Sequence, residues 1–337
     1  MKSRLSSAVA LALLLSCASP ALADDAMVKL RGAEAAKGVQ TVTVGAFNVG
    51  FIFQSMDSGR REGGMIGAFS GTTDAKSLLV GVTPAMMQSI TDAAYADLKA
   101  QLAARGFRVV DATALFASPD FGRVKQMATP YEAGVRLDKK STGKASYYKP
   151  SALPGQFMLP NDIVSSGMSG MGLAMAAGTN QYGVSQFAKS SGQGVIDVTY
   201  LIDFSQLKRP GAFTFQSMQV NSGIAVIDDY SKLSMVAPTG KVATLTLNQP
   251  VAVEGDFATK QDATKDAGLQ QGVNIARGVS GVLGHFGGFG GLGMLGGGKM
   301  GMTRTFTFTA KPQYQLGATK AATLANTRLV DQLAALR

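Results

Sequence analysis

Few side chains in this sequence have the type and spacing to do chemistry, and each pattern that qualifies has a plainer reading. Gly291-Leu292-Gly293-Met294-Leu295-Gly296 matches the G-x-G-x-x-G dinucleotide fingerprint, and Gly293 to Lys299 matches a P-loop as far as its lysine. Both motifs need a strand before them and a helix after them, because the helix N-terminus holds the phosphate. Met300 stands where a P-loop requires Ser or Thr, and the surrounding residues are themselves largely glycine, so the matches read as chance. His285 is the single histidine; a Ser-His-Asp triad or a histidine metal site would have to be built on it. It lies between Gly284 and Phe286 with no carboxylate nearby in sequence, and reads as an incidental loop residue. Met168, Met171 and Met175 recur at i, i+3 and i+7 with Met158 nearby. Thioethers suit Cu(I), but the same spacing is a helical core stripe, the reading taken here. Asp197 and Asp203 share a strand face six residues apart, about 20 Å at the usual rise and too far for a carboxylate pair, so both are expected to be solvated. No G-x-S-x-G occurs. The expectation is a non-enzymatic protein with no catalytic residue, cofactor or metal.

Composition bounds the compartment. Lys2 and Arg4, the apolar run Ala8–Leu15 and Ala21-Leu22-Ala23 have the order of a bacterial-type secretory signal peptide, too short for a membrane-spanning helix. Cleavage after Ala23 removes two of 32 basic residues and none of 22 acidic ones, which leaves a net charge of +8. Cys17, the only cysteine, falls in that region, so the mature chain has no disulfide and no thiol nucleophile. Leu14-Leu15-Ser16-Cys17 loosely follows a lipobox; the soluble cleaved form is preferred, with lipid anchoring at Cys17 as the alternative. Export and the lack of a concentrated basic helix argue against nucleic acid, and the basic excess points to an anionic membrane or glycan surface.

The elements that would position any site follow from pattern. Residues 24–40 are small, polar and charged and read as a linker or short helix; Thr41–Gln54 is β-branched and aromatic, a strand; 55–82 reads as a long loop. Thr83 as N-cap, Pro84 at the first position and Met87, Ile90, Ala94, Leu98 and Leu102 at spacings of three and four predict a helix that Arg105-Gly106 stops. Phe107–Asp111 is a short strand. The stretch 117–165, punctuated by five prolines, is expected to wrap the surface. A glycine-interrupted helix is expected from Asn161 to Lys189, and Val195–Phe204 alternates as a half-buried strand with Asp197, Thr199 and Asp203 on a wet side. Strands are expected through 212–254, a polar helix over 259–277, a Thr/Phe strand at Thr303–Thr309 and a closing helix over 319–336. Between Arg277 and Lys299 lie 21 residues without formal charge, in which glycine recurs at every third position from Gly278 to Gly296. Proline is absent, which excludes a collagen-like helix, and each glycine costs an ordinary helix about 1 kcal/mol. The tract is either a mobile apolar loop or a segment packing against lipid or a neighbouring subunit.

The order of an exported N-terminus, the strand TVTVGAFNVG, the helix-to-strand passage ADLKAQLAARGFRVVD and the passage QFAKSSGQGVIDVTYLIDF resembles the periplasmic α/β domain of the curli-secretion-channel family and related envelope assembly lipoproteins. The resemblance covers about residues 41–253, is one of pattern, and carries over no functional residue. It implies an oligomeric outer-membrane secretion channel whose subunits lend strands to a shared barrel. The expected class is α+β (mixed α/β). The expected plan is a signal peptide (1–23), linker (24–40), α/β domain (41–211), antiparallel β-hairpin region with helix (212–277), glycine-rich segment (278–302) and terminal strand and helix (303–337). The expected function is that of a homo-oligomeric component of a secretion or surface-structure assembly system in the periplasm or outer membrane, with secretion-apparatus partners and membrane contact through the glycine-rich segment. The alternative is a periplasmic protein that binds a small ligand or metal.

Overall fold

The computed structural model describes residues 27–60, 72–137, 141–163, 167–208, 219–264 and 302–337. The signal peptide, His285 and the whole glycine tract lie outside them. The class is α+β: thirteen strands join one mixed sheet, with four helices among the described residues, the second of them the short α2 (Thr113–Ala117).

Strand β2 (Thr41–Arg60) is the spine, and its β-branched and aromatic run suits a position buried on both faces. The first strand, β1 (Val28–Arg31), stands at the sheet edge. The remaining strands are β3 (Thr72–Val80), β4 (Arg108–Val110), β5 (Tyr131–Arg136), β6 (Ser141–Tyr148), β7 (Gly194–Lys208), β8 (Gln219–Val226), β9 (Lys232–Val236), β10 (Val242–Leu247), β11 (Val251–Val253), β12 (Ala258–Asp262) and β13 (Met302–Ala310). The main path runs β1-β10-β9-β7-β2-β3-β13-β12. β7 lies parallel to β2 from Gly194, opposite Val42, to Ile202, opposite Phe51. A bulge at Gly45 interrupts that register; a Cβ there would sit 2.6 Å from Leu115 Cδ2 and 2.8 Å from Val195 Cγ1, so only glycine fits.

One sheet face carries Val42, Val44, Phe47, Val49 and Phe51 beside Ile196, Val198, Tyr200 and Ile202, all buried. Helices α1 (Pro84–Ala104) and, near the C-terminus, α4 (Tyr314–Ala334) pack on this side; the Phe47 ring meets those of Tyr95 and Tyr200 edge-on, each at 5.7 Å. α1 begins where the sequence predicts: the Thr83 side chain accepts from Met86 N at 3.2 Å with Pro84 next. It ends at Arg105, with Gly106 at φ 82° supplying the left-handed turn. Ile90, Ala94, Leu98 and Leu102 are buried as expected. In α4, Ala318, Ala321, Ala322 and Ala325 are buried, and such small side chains let helices approach closely.

Asn326 ties these layers together. It is fully buried, donates to Ala94 O at 2.9 Å and Asp97 Oδ2 at 2.7 Å, and accepts from the Tyr200 hydroxyl at 2.7 Å. Asn326→Leu should therefore strand the Tyr200 hydroxyl and cost about 1–3 kcal/mol. Chemical denaturation reads the loss, and Tyr200→Phe in the same chain should recover part of it, since no orphan hydroxyl then remains.

Several expectations need correction. Residues 55–82 are not one loop: β2 continues to Arg60 and β3 occupies Thr72–Val80, because each gains a ladder from its neighbour. Residues 24–40 hold an edge strand, paired with β10 from Val28↔Leu247 to Arg31↔Thr244, and a 3-10 turn at Ala33–Ala35. The start of the predicted helix 259–277 is strand β12, paired with β13; residues 265–277 lie outside the described ones. The stretch 117–165 does not simply wrap the surface, since it contributes β5 and β6 and then runs into the interior.

Candidate functional site

The interior run lies within residues 149–163: Lys149 and Ser151 are hydrogen-bonded to Gln88 and Asp92 of α1, and from Gln156 onward the chain crosses the second face of the sheet beneath helix α3 (Gly167–Ser191). Gln156, Phe157, Met158, Leu159, Asp162 and Ile163 are buried. This segment belongs to neither helix nor strand, so its backbone groups need side-chain partners. Asn48 of β2 donates to Phe157 O at 3.0 Å, and Asn180 of α3 donates to Met158 O at 3.0 Å. Gln156 Nε2 reaches Asn48 Oδ1 and Tyr147 O, both at 3.2 Å. Asp162 Oδ2 accepts from Leu159 N at 2.5 Å, while Lys232 Nζ on β9 donates to Pro160 O and lies 3.0 Å from Asp162 Oδ1.

Asp197 of β7 lies against this group. Its side chain is 1% exposed, beside Asp162 at 2% and Lys232 at 5%. Burial first, and then the Asp162 charge, push the Asp197 carboxyl well above the ordinary carboxylate range; Lys232 pulls it back in part. The expectation of a wet side on β7 is thus overturned: Asp197 and Thr199 are enclosed by the 149–163 segment. Asp203 is not freely solvated either. It accepts from Phe204 N at 2.7 Å and Ser205 N at 3.2 Å beside a bulge, and burial pushes its carboxyl up to about 7. Asp162 and Gln156 of the 149–163 segment, Lys232 of β9, Asn48 of β2 and Asn180 of α3 come from four separate parts of the chain, and sequence reasoning missed them all. The one available signal was polarity inside otherwise apolar strands, such as Lys232 opening the fully buried β9.

Among the described residues, Asp162, Asp197 and Lys232 are enclosed by their neighbours. What the cluster can do is hold a proton and clamp a backbone. The methionine reading also changes: Met171 is 63% and Met175 72% exposed, so they do not form a core stripe, although Met158 is buried. They sit on the first half of α3, which extends beyond the segment it covers. Among the described residues, no group of three or more His, Cys, Asp or Glu side chains is placed to hold a metal, and no helix is long and apolar enough to cross a membrane. A groove of about 830 Å³ lies between β1 and the end of α4, with Lys29, Asn248, Arg328 and Asp331 on its walls. Asp331 is engaged by Arg105, whereas Arg328 Nη1 is buried without a hydrogen-bond partner.

Strand direction places a second feature. β2 and β7 run parallel, and β3 and β8 return antiparallel to them. β13 runs parallel to β3, and β12 antiparallel to β13. The strands leading into and out of 61–71, 209–218 and 265–301 therefore all reach those segments at one end of the sheet. The β5–β6 connection, 138–140, is at the same end, since Ser141 pairs with Asp57. In sequence these segments read REGGMIGAFSG, RPGAFTFQSM and, within the third, the uncharged glycine tract. Comparison with family models, curated proteins and solved structures finds no significant match to this chain.

Proposed function

We propose that the protein is an exported, non-enzymatic component of the bacterial envelope that self-assembles at the outer membrane, in a secretion or surface-structure system, through one end of its sheet. The observation that carries the reading is the convergence of strand ends on three segments that carry Phe and Met, two of them rich in glycine. Such residues left in contact with water favour association with lipid or with a neighbouring subunit. Charge supports the membrane part. Arg60, Arg61, Lys139, Lys140, Lys208 and Arg209 flank the same strand ends, against Glu62 and Asp138. Each basic residue near an anionic bilayer contributes about 1 kcal/mol of attraction. The resemblance to the curli-secretion-channel family agrees with this reading, since its members lend strands from each subunit to a shared barrel.

Two measurements on the mature chain test it. The protein should float with phosphatidylglycerol vesicles and less with phosphatidylcholine vesicles, and light scattering after size exclusion should give an oligomer in mild detergent. Gly284, Gly287 and Gly290 replaced together by leucine, or excision of 279–298, should abolish both behaviours without lowering the thermal midpoint. A monomer with and without detergent that ignores both vesicle types overturns the proposal. In that case, the unpaired Arg328 guanidinium nitrogen in the β1–α4 groove favours the other reading, a periplasmic binding protein for a small anion.

A further inference from the structure

We infer that Asp197 is protonated at neutral pH and donates to Asp162, and that this proton is the latch that holds the buried end of the 149–163 segment on the sheet. Charge counting inside the enclosure is the first reason. Two carboxyl groups face one ammonium, Lys232, and all three side chains are at least nine-tenths buried. Two carboxylates would leave a net negative charge with no solvent to receive it, a heavily penalised state. One proton makes the group neutral.

Hydrogen-bond inventory is the second reason. Asp162 Oδ2 is committed to Leu159 N, and Lys232 Nζ to Pro160 O and the Asp162 carboxylate. Both oxygens of Asp197 are buried without a hydrogen-bond partner, and Asp162 Oδ1 has only the Lys232 ammonium, at 3.0 Å. A carboxylic acid at Asp197 supplies the missing donor, and its O–H directed at Asp162 satisfies one oxygen on each side. Among the described residues, the other elements packed here bring no competing titratable group at ordinary pH. β2 offers Asn48, β9 Ser234 and α3 Asn180, while β6 offers Tyr147, whose hydroxyl burial pushes far up.

Rising pH removes the proton to bulk hydroxide and leaves two facing carboxylates. The segment then gains by opening, because outside the enclosure each carboxylate is hydrated. The sign follows from linkage: the closed form binds a proton that the open form does not, so closure is favoured at low pH and lost as pH rises through the raised carboxyl range. The device is independent of the membrane end and of the proposed function.

Amide exchange at Leu159, whose N–H is held by Asp162, reads the latch directly. In the wild-type chain its rate should climb about a hundredfold per pH unit between the ordinary carboxylate range and that of the pair, tenfold from base catalysis and tenfold from opening. Asp197→Asn keeps an N–H donor toward Asp162 without a titrating proton, and there the rise should be about tenfold per unit. Infrared spectra of the wild-type chain with isotope-labelled aspartate should show a protonated carboxyl at pH 7 that vanishes at the higher pH where the exchange slope falls back to about tenfold per unit. Equal slopes in the two chains, or no protonated carboxyl at pH 7, overturns the inference. If Asp197→Asn does not fold, the wild-type slope and infrared band decide it alone.

Discussion

Leu98→Asp is expected to abolish the cooperative unfolding transition altogether. Leu98 is fully buried on α1, within the apolar layer shared by the sheet and α4. Truncating such a leucine to alanine costs about 2–5 kcal/mol through lost transfer energy and the cavity left behind. An aspartate adds a charge with no partner in that layer, and burying it costs several kcal/mol more. The sum rivals the whole stability of a domain, about 5–15 kcal/mol. Differential scanning calorimetry should show a clear but lowered midpoint for Leu98→Ala and no transition for Leu98→Asp. A normal midpoint in the aspartate variant would mean that α1 turns a different face to the sheet.

Lys232→Met should be nearly as damaging, but its cost should depend on pH. The methionine keeps the length of the side chain while removing the only ammonium beside Asp162 and Asp197. Breaking a buried ion pair by deleting one partner costs about 3–5 kcal/mol. Without the cation the Asp197 carboxyl favours its neutral form still more, so its folded-state pKa rises further. Stability that depends on protonation is present at low pH and lost as pH rises through that range. Urea titrations at pH 5 and 7.5 should therefore find the variant close to the wild type at the lower pH and strongly destabilised at the higher. Equal destabilisation at both would show that Lys232 acts by packing alone.

How much of this was legible before the fold was known follows the range of the interactions. The start and stop of α1 could be read from Thr83, Pro84 and Gly106, because capping acts within a few residues. Its buried face could be read from the spacing of Ile90, Ala94, Leu98 and Leu102. The same holds for the alternation in β7 and in β13. The α+β class followed from these local periods. What failed were inferences about water. The wet side assigned to β7 assumed that one face of an alternating strand meets solvent, yet a coil segment from 149–163 covers it. The exposed Met171 and Met175 make the opposite error, since helical spacing states which residues share a face and not whether anything packs there.

The sequence by itself therefore determined the local elements, the near absence of cysteine and histidine, and the existence of an uncharged glycine tract. Only the tertiary structure decided that Asp162, Asp197 and Lys232 meet. They are joined by no local period, and their contact depends on β7 and β9 pairing and on a segment without regular structure lying across both. Only strand register decided that the chain reaches the segments 61–71, 209–218 and 265–301 at one end, because direction within a sheet is set by pairing between residues far apart in sequence. Short-range preferences are properties of a few consecutive residues, whereas burial and proximity are properties of the whole chain once it has closed on itself.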